Sequence, residues 1–345
     1  MQRLKEKTDK INEFIHLIES VQIDRLEISD YNKIYFAKHL KNLMYSVHLG
    51  LQILEHCLQR TDKPLNYLSV AEIGGGTGII TLLAKWLGFG KVVYSDTYET
   101  SCNDFAVISK ALKLEPDAIV NGSVQELGKQ FHGKIDFIIS RDVIEHVYDL
   151  GEFFHTTQTL FPLAISVHNT SANFYNVFKK KYFKNIQEQD EWHGNPNQIK
   201  PGDSTESFYQ MRLQYIEQHY PQLSRARKDI LAMLTRGLVY KDIDKVVKKY
   251  IETELLPHKP IHPTNTCDPA TGNWTEHLLS LEQYELFIDT TRFRVNWDFA
   301  PYDEWGNKGI KKLVQMTFNR LRKMSGKMAV YYAPAIVMIV EPVGE

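Results

Sequence analysis

The stretch Glu72-Ile73-Gly74-Gly75-Gly76-Thr77-Gly78 constrains this chain more than any other. The apolar run before it, Tyr67–Ile73, reads as a buried strand, and Ile79–Trp86 after it reads as a helix. Strand, glycine turn and helix in that order make a ligand cradle. Glycines let the backbone turn sharply and approach a ligand, and the helix start presents unpaired N–H groups. The spacing narrows the ligand. A dinucleotide loop wants G-x-G-x-x-G, whose third glycine would fall on Ile79. The pattern present is Glu-x-Gly-x-Gly-x-Gly. An acid two residues before the first glycine repels a pyrophosphate and suits a ligand with a cationic end.

The remaining chemistry follows strand ends. Lys91–Ser95 reads as a second strand closing at Asp96, where an acid can accept hydrogen bonds from both hydroxyls of a ribose. Ala118–Val120 reads as a third strand, leading into Gly122-Ser123-Val124. Ile135–Ser140 reads as a fourth, running into Ser140-Arg141-Asp142-Val143-Ile144-Glu145-His146-Val147-Tyr148-Asp149, and Leu163–Val167 as a fifth. Short apolar runs alternating with helical stretches predict a parallel, doubly wound sheet.

Flanking segments have other patterns. Residues 1–60 read as helical, with Phe36, Leu40, Leu43, Val47, Leu51, Leu54 and Leu58 on one face of a long helix and Ser29 or Asp30 as its N-cap. Residues 171–275 are polar and aromatic, with helical periods at Phe208–Ile216, Ile230–Leu238 and Ile243–Leu255. The sheet pattern then resumes: a helix at Leu281–Asp289, a strand at Phe293–Trp297, an amphipathic helix at Ile310–Met324 and a last strand within Ala329–Glu341. The expected organisation is a helical cap over 1–62, a sheet core over 63–170, a helical insertion over 171–275 acting as a lid, and completion of the core over 276–345.

The glycine loop and the Ser140–Asp149 segment together resemble the class I S-adenosylmethionine (SAM)-dependent methyltransferases. The second segment is similar to the D-V-I-E-H-V-x-D stretch of the branch that includes the ubiquinone-biosynthesis O-methyltransferases. The resemblance implies a Rossmann-like seven-stranded doubly wound fold. It implies SAM as cofactor, held by Glu72, Gly74, Gly76, Thr77, Gly78, Asp96 and Arg141, with Ser123 and Val124 at the adenine. Ser123 stands where that family usually carries an acid.

Methyl transfer needs a nucleophile held in line and a proton managed. His146, His168 and His277 are the expected catalytic residues, placed beyond strand four, beyond strand five and before the helix that follows the insertion. A neutral imidazole suits proton removal near pH 7. No metal ligand is assigned. Asp142, Glu145 and His146, as D-x-x-E-H, would share one helical face and could hold a divalent cation with His168 or His277, as a similar E-x-x-E-H set does in small-RNA 3′-terminal 2′-O-methyltransferases.

Bulk properties bound the partners. With 345 residues and a formal net charge of -1, no global field attracts nucleic acid or acidic membrane. Cys57, Cys102 and Cys267 are scattered, which argues against a disulfide framework and for a reducing compartment. Met1–Lys10 is too polar for a signal peptide, and no apolar run approaches a membrane span, so a cytoplasmic location is expected. The expected function is O-methylation of a small or medium-sized metabolite. A macromolecular substrate and a non-catalytic SAM-binding scaffold are the alternatives.

Overall fold

A computed structural model of the chain describes residues 11–195, 204–260, 262 and 264–343. The helical expectation for residues 1–10 lies outside them. Contacts divide the chain into two compact units. One comprises Met1–Ile144, Leu150–Asn173 and Leu281–Glu345; the other comprises Glu145–Asp149 and Phe174–Ser280.

The first unit begins with helices α1 (Ile11–Glu19), α2 (Asp30–Lys41) and α3 (Leu43–Leu58), then alternates strand and helix: β1 (Ser69–Ile73), α4 (Ile79–Leu87), β2 (Lys91–Asp96), α5 (Glu99–Ala111), β3 (Ala118–Asn121), α6 (Val124–Phe131), β4 (Phe137–Arg141), α7 (Leu150–Leu160) and β5 (Ile165–Thr170). The second unit holds α8 (Val177–Trp192), α9 (Phe208–His219), α10 (Arg225–Leu234) and α11 (Tyr240–Thr253). The chain then returns to the first unit with α12 (Leu281–Glu285), β6 (Phe293–Phe299), α13 (Gly309–Met324) and β7 (Ile336–Pro342).

The strands form one seven-stranded sheet in the order β3-β2-β1-β4-β5-β7-β6. β1 to β5 pair in parallel, while β7 runs antiparallel to both β5 and β6. The five strands that the sequence predicted as parallel are parallel, and the sheet is mixed at its last two strands. Every residue of β1 is buried, as expected for a central strand covered by helices on both faces. β6 is an edge and carries Arg294, Asn296 and Asp298, polar residues that discourage further strand addition.

The single long helix predicted over residues 36–58 is two helices, α2 and α3, broken at Asn42 (φ -125, ψ 28). Leu43 follows Leu40 by three, so the apolar period runs through the break unchanged. Ser29 is the N-cap of α2, accepting from the Asn32 N–H. Asp104 on α5 ties this cap down: it accepts from the Ser29 N–H at 3.2 Å and from Asn32 Nδ2 at 2.7 Å. That tether sets α2 beside the glycine loop. α4 is buried almost all round, and a Cβ at Gly50 on α3 would lie 3.3 Å from Ile80 and Leu83, so the two helices cross closely.

The second unit has its own apolar core of Leu213, Ile216, Tyr220, Leu231, Leu238, Ile243 and Val247. Beside it, Arg212 and Glu191 form a fully buried ion pair, with Arg212 Nε donating to the Ala232 carbonyl at 2.9 Å and Thr266 Oγ1 donating to Glu191 at 2.6 Å. Residues 145–149 join this unit by hydrogen bonds to Trp274–His277: the Trp274 N–H reaches the His146 carbonyl at 3.2 Å, and the His277 N–H reaches the Glu145 carbonyl at 2.9 Å. Helix α8 has no counterpart in the apolar pattern. Its buried positions are Phe183, Gln187 and Glu191, a stripe that is two-thirds polar.

Candidate active site

In the first unit a pocket opens at the end of β1 and β4, lined by Tyr35, His39, Glu72, Gly74, Gly75, Thr77, Ile79, Ile80, Arg141 and Asp142. Its floor is the glycine loop. Gly74, Gly76 and Gly78 adopt left-handed backbone with φ of 63, 52 and 69. At Gly78 a Cβ would meet the Phe105 ring at 2.0 Å, so packing as well as backbone demands glycine there. At Gly76 a Cβ would face Tyr35 at 3.1 Å, filling the space between loop and α2. Tyr94 supports the loop from below, its hydroxyl donating to the Gly76 carbonyl at 2.7 Å while its ring stacks on Phe105.

The two acids act differently from one another. Glu72 is 4% exposed, and its Oε2 accepts from the Thr81 N–H at 2.8 Å. Burial pushes its carboxyl up to about 7, despite the Thr81 hydrogen bonds. Asp96 at the end of β2 accepts from the Gly76 N–H at 3.0 Å and from the Tyr98 N–H at 2.9 Å, so it joins the loop to the start of α5. Arg141, the last residue of β4, brings a guanidinium into the same pocket and lies 3.5 Å from Asp142.

Aromatic residues of α2 border the loop. Tyr31, Tyr35 and His39 recur every four residues; Tyr35 stacks on Tyr31 and lies 4.6 Å from the His39 ring. His39 Nδ1 is 3.2 Å from Thr77 Oγ1. Burial, and then the Arg141 charge, push His39 down to about 4, so it is neutral at physiological pH. Sequence reasoning missed His39, although its i+4 spacing from Tyr35 was visible. Tyr45 on α3 donates to the Pro301 carbonyl at 3.0 Å.

Other expected site residues have structural work. Ser123 is the N-cap of α6 in a capping box with Glu126: its N–H donates to Glu126 Oε2 at 3.0 Å and its hydroxyl at 2.6 Å. Val124 is buried at the first turn of that helix. His168 does not lie beyond strand five. It is the fourth residue of β5, wholly buried, with Nδ1 2.8 Å from Ser140 Oγ on β4 and Phe153 and Phe154 packed edge-on. Burial pushes it down to about 3. The strand runs three residues further than predicted because His168, Asn169 and Thr170 are polar yet interior.

The D-x-x-E-H segment is not one helical turn. Asp142 has left-handed backbone (φ 52), its N–H donates to the Asn169 carbonyl and its Oδ1 accepts from the Ser171 N–H at 3.0 Å. Glu145 and His146 sit in a separate single turn, Ile144–His146. Within the second unit these two meet a different acid: one ligand atom each of Glu145, His146 and Glu276 lie within 4.8 Å of one another, a spacing that suits a divalent cation. His146 Nδ1 is 2.8 Å from the Trp274 carbonyl. A carbonyl only accepts, so in the neutral ring Nδ1 carries the proton and Nε2 is the acceptor nitrogen. His277 stacks on Trp274 at 4.0 Å, and burial together with His262 pushes it down to about 3.

The pocket fits SAM by its donor set. A buried carboxyl and a guanidinium in one cavity match the ammonium and carboxylate of an amino-acid end, and the left-handed glycines open the loop toward it. The fold and this pocket define a member of the class I SAM-dependent methyltransferase superfamily. A family model described as "Methyltransferase domain" matches residues 38–226, more than half of the chain, and the chain belongs to that family.

No curated protein matches the chain. Among solved structures, the chain is similar to a ribosomal protein L11 methylase from Lactobacillus delbrueckii subsp. bulgaricus at 22% identity, over 35% of this chain and 60% of that one, with a TM-score of 0.28. It spans less than two thirds of that protein. A SAM-dependent methyltransferase from Mesorhizobium loti aligns at 12% identity over 83% of this chain and 96% of that one, TM-score 0.38. The plantazolicin methyltransferase BpumL, in complex with SAH, aligns at 10% identity over 98% of each chain, TM-score 0.41.

Proposed function

We propose that this chain transfers a methyl group from SAM to an oxygen of a small or medium-sized metabolite. The observation that carries the reading is the convergence of Glu72, Arg141, Tyr35 and His39 on the glycine loop in a single pocket. SAM supplies an activated methyl group when bound. Glu72 and Arg141 hold the two charged ends of its amino acid, Asp96 accepts from the ribose, and Tyr35 and His39 wall the loop from α2. The similarity of Asp142–Asp149 to the ubiquinone-biosynthesis branch supports oxygen as the acceptor. A net charge of -1 gives no general attraction for nucleic acid and supports a metabolite. Three free, buried cysteines support work in a reducing compartment such as the cytoplasm.

Of the three expected catalytic histidines, His146 is the one we propose as proton acceptor, because the Trp274 carbonyl sets its tautomer with Nε2 as the basic nitrogen. The Glu145–His146–Glu276 group favours a second reading, in which a divalent cation assists. Such an ion stabilises a deprotonated hydroxyl.

The test uses SAM carrying a labelled methyl group, incubated with the protein and size-fractionated cell extract. Label should appear in the small-molecule fraction, on an oxygen. Label in protein or RNA would overturn the metabolite reading, and no S-adenosylhomocysteine release from any fraction would favour a scaffold.

A further inference from the structure

Helix α13 is mounted inside out. Its sequence, Gly309–Met324, is amphipathic, and such a helix ordinarily buries its apolar face. Here the inward hydrogen bonds come from polar side chains, beside a half-buried Met316 and the edge of Phe318, which packs against Tyr302 and Tyr332. Asn319 is 7% exposed; its Oδ1 accepts from the Tyr302 N–H at 2.7 Å, and its Nδ2 donates to the Tyr302 carbonyl at 3.0 Å and to Glu304 at 2.9 Å. Arg322 donates to the Phe299 carbonyl and lies 3.8 Å from Asp298. Apart from Met316, the large apolar residues face outward: Ile310 is 82% exposed, Leu313 65%, Val314 47%, Leu321 45% and Met324 83%, with Phe318 at the margin.

At about 100° per residue these six side chains fall within an arc of roughly 140°. Lys311 and Arg320 flank that arc on its two sides, while Lys312 and Lys323 fall on the opposite side of the helix; all four are exposed. The helix carries five basic residues and no acid, in a chain whose net charge is -1. Neither flanking cation makes an ion pair among the described residues. Among those residues, too, no helix is long and apolar enough to cross a membrane.

We propose that α13 is an interfacial anchor that lies in the plane of an anionic lipid bilayer, its apolar arc among the acyl chains and the flanking Lys311 and Arg320 at the headgroups. An apolar stripe rimmed by cations with long aliphatic stems is the form such anchors take, because the stems reach the headgroup layer while the stripe stays submerged. The charge pattern selects the occupant. Two copies meeting through this face would bring two unneutralised cationic rims together, whereas an anionic surface complements them. The inference is independent of which acceptor the enzyme methylates.

The full-length protein should sediment with phosphatidylcholine vesicles doped with phosphatidylserine, and not with phosphatidylcholine alone. Added salt should weaken the binding. Leu313→Asp combined with Leu321→Asp should abolish it while leaving the thermal melt unchanged, since both side chains are exposed. Lys311→Gln and Arg320→Gln should each weaken it about fivefold. Absence of sedimentation with anionic vesicles, or wild-type binding by the Asp pair, would overturn the proposal. So would a wild-type dimer that the Asp pair converts to monomer, which would make the face a self-interface. If the Asp pair fails to fold, the two Gln variants decide: unchanged vesicle binding by both overturns the anchor.

Discussion

Glu72→Gln separates the two roles of the buried acid. Glu72 carries its carboxyl at about 7 against an ordinary 4.5, with burial as the main cause. That rise corresponds to about 3 kcal/mol held against the ionised form. Because the folded-state value is the higher one, the folded protein keeps the proton to higher pH than the unfolded chain does. The associated stabilisation is complete below pH 4.5 and is lost as pH rises through 7. Glutamine has nearly the same shape and still accepts from Thr81, but it does not ionise. Urea unfolding across this range should show the wild type losing up to about 3 kcal/mol relative to the variant between pH 4.5 and pH 8. Cofactor affinity should run the other way. An ammonium group needs the ionised acid, so SAM binding by the wild type should weaken about tenfold per pH unit below 7, and binding by Glu72→Gln should be weak and flat. Calorimetry reads both. Parallel stability curves for the two proteins, or wild-type SAM affinity in Glu72→Gln at pH 8, would refute the reasoning.

The other site acid and the glycines give sharper local tests. Asp96→Ala removes acceptors for the Gly76 and Tyr98 N–H groups and should cost about 10- to 150-fold in SAM affinity, measured by calorimetry. Gly78→Ala should destabilise the fold by about 2 kcal/mol or more, because its Cβ meets Phe105. Gly76→Val, in left-handed backbone and facing Tyr35, should both destabilise the fold and weaken SAM binding, and melts read beside binding isotherms separate the two effects. In the second unit, Arg212→Ala strands the buried Glu191 charge and should cost about 3–5 kcal/mol in urea unfolding. If a cation serves Glu145, His146 and Glu276, EDTA should stop turnover and Glu276→Gln should match it; turnover unaffected by either rules out a catalytic metal at this group.

Features dictated by backbone geometry were legible in the sequence. The turn at Gly74–Gly78 needs residues that tolerate left-handed backbone, and Asp96 stands where a strand meets a loop N–H. Features set by polar groups paired in the interior were not. Helix α8 escaped the apolar period because Gln187 and Glu191 are its buried positions, one bonded to the carbonyls of Thr275 and Glu276 and the other to Arg212. His168 read as a loop residue because nothing local reveals that Ser140 waits for it on the neighbouring strand. Ser123 carried two signals, a family position and the Ser-x-x-Glu of a capping box, and the structure assigns its hydroxyl to the box. Glu276 lies more than a hundred residues from Glu145 in sequence, and only the fold brings them together.

The antiparallel pair that completes the sheet has a consequence for how the chain assembles. Ser166 on β5 pairs with Val340 on β7, so the strand that covers one side of β5 is synthesised long after it. Everything from β1 to β5 can pair through local crossovers, and residues 174–280 can gather around their own core. Until β7 arrives, β5 is an open, interior-type edge carrying a row of unpaired backbone groups. Closing so long a loop at random is entropically slow, and a prefolded insertion shortens it by bringing its ends nearer before the search begins. A second unit that gathers first would shorten that search. Lesions in its core, such as the loss of Arg212, should appear as aggregation during refolding through the exposed β5 edge, even where cofactor binding by the finished protein is intact.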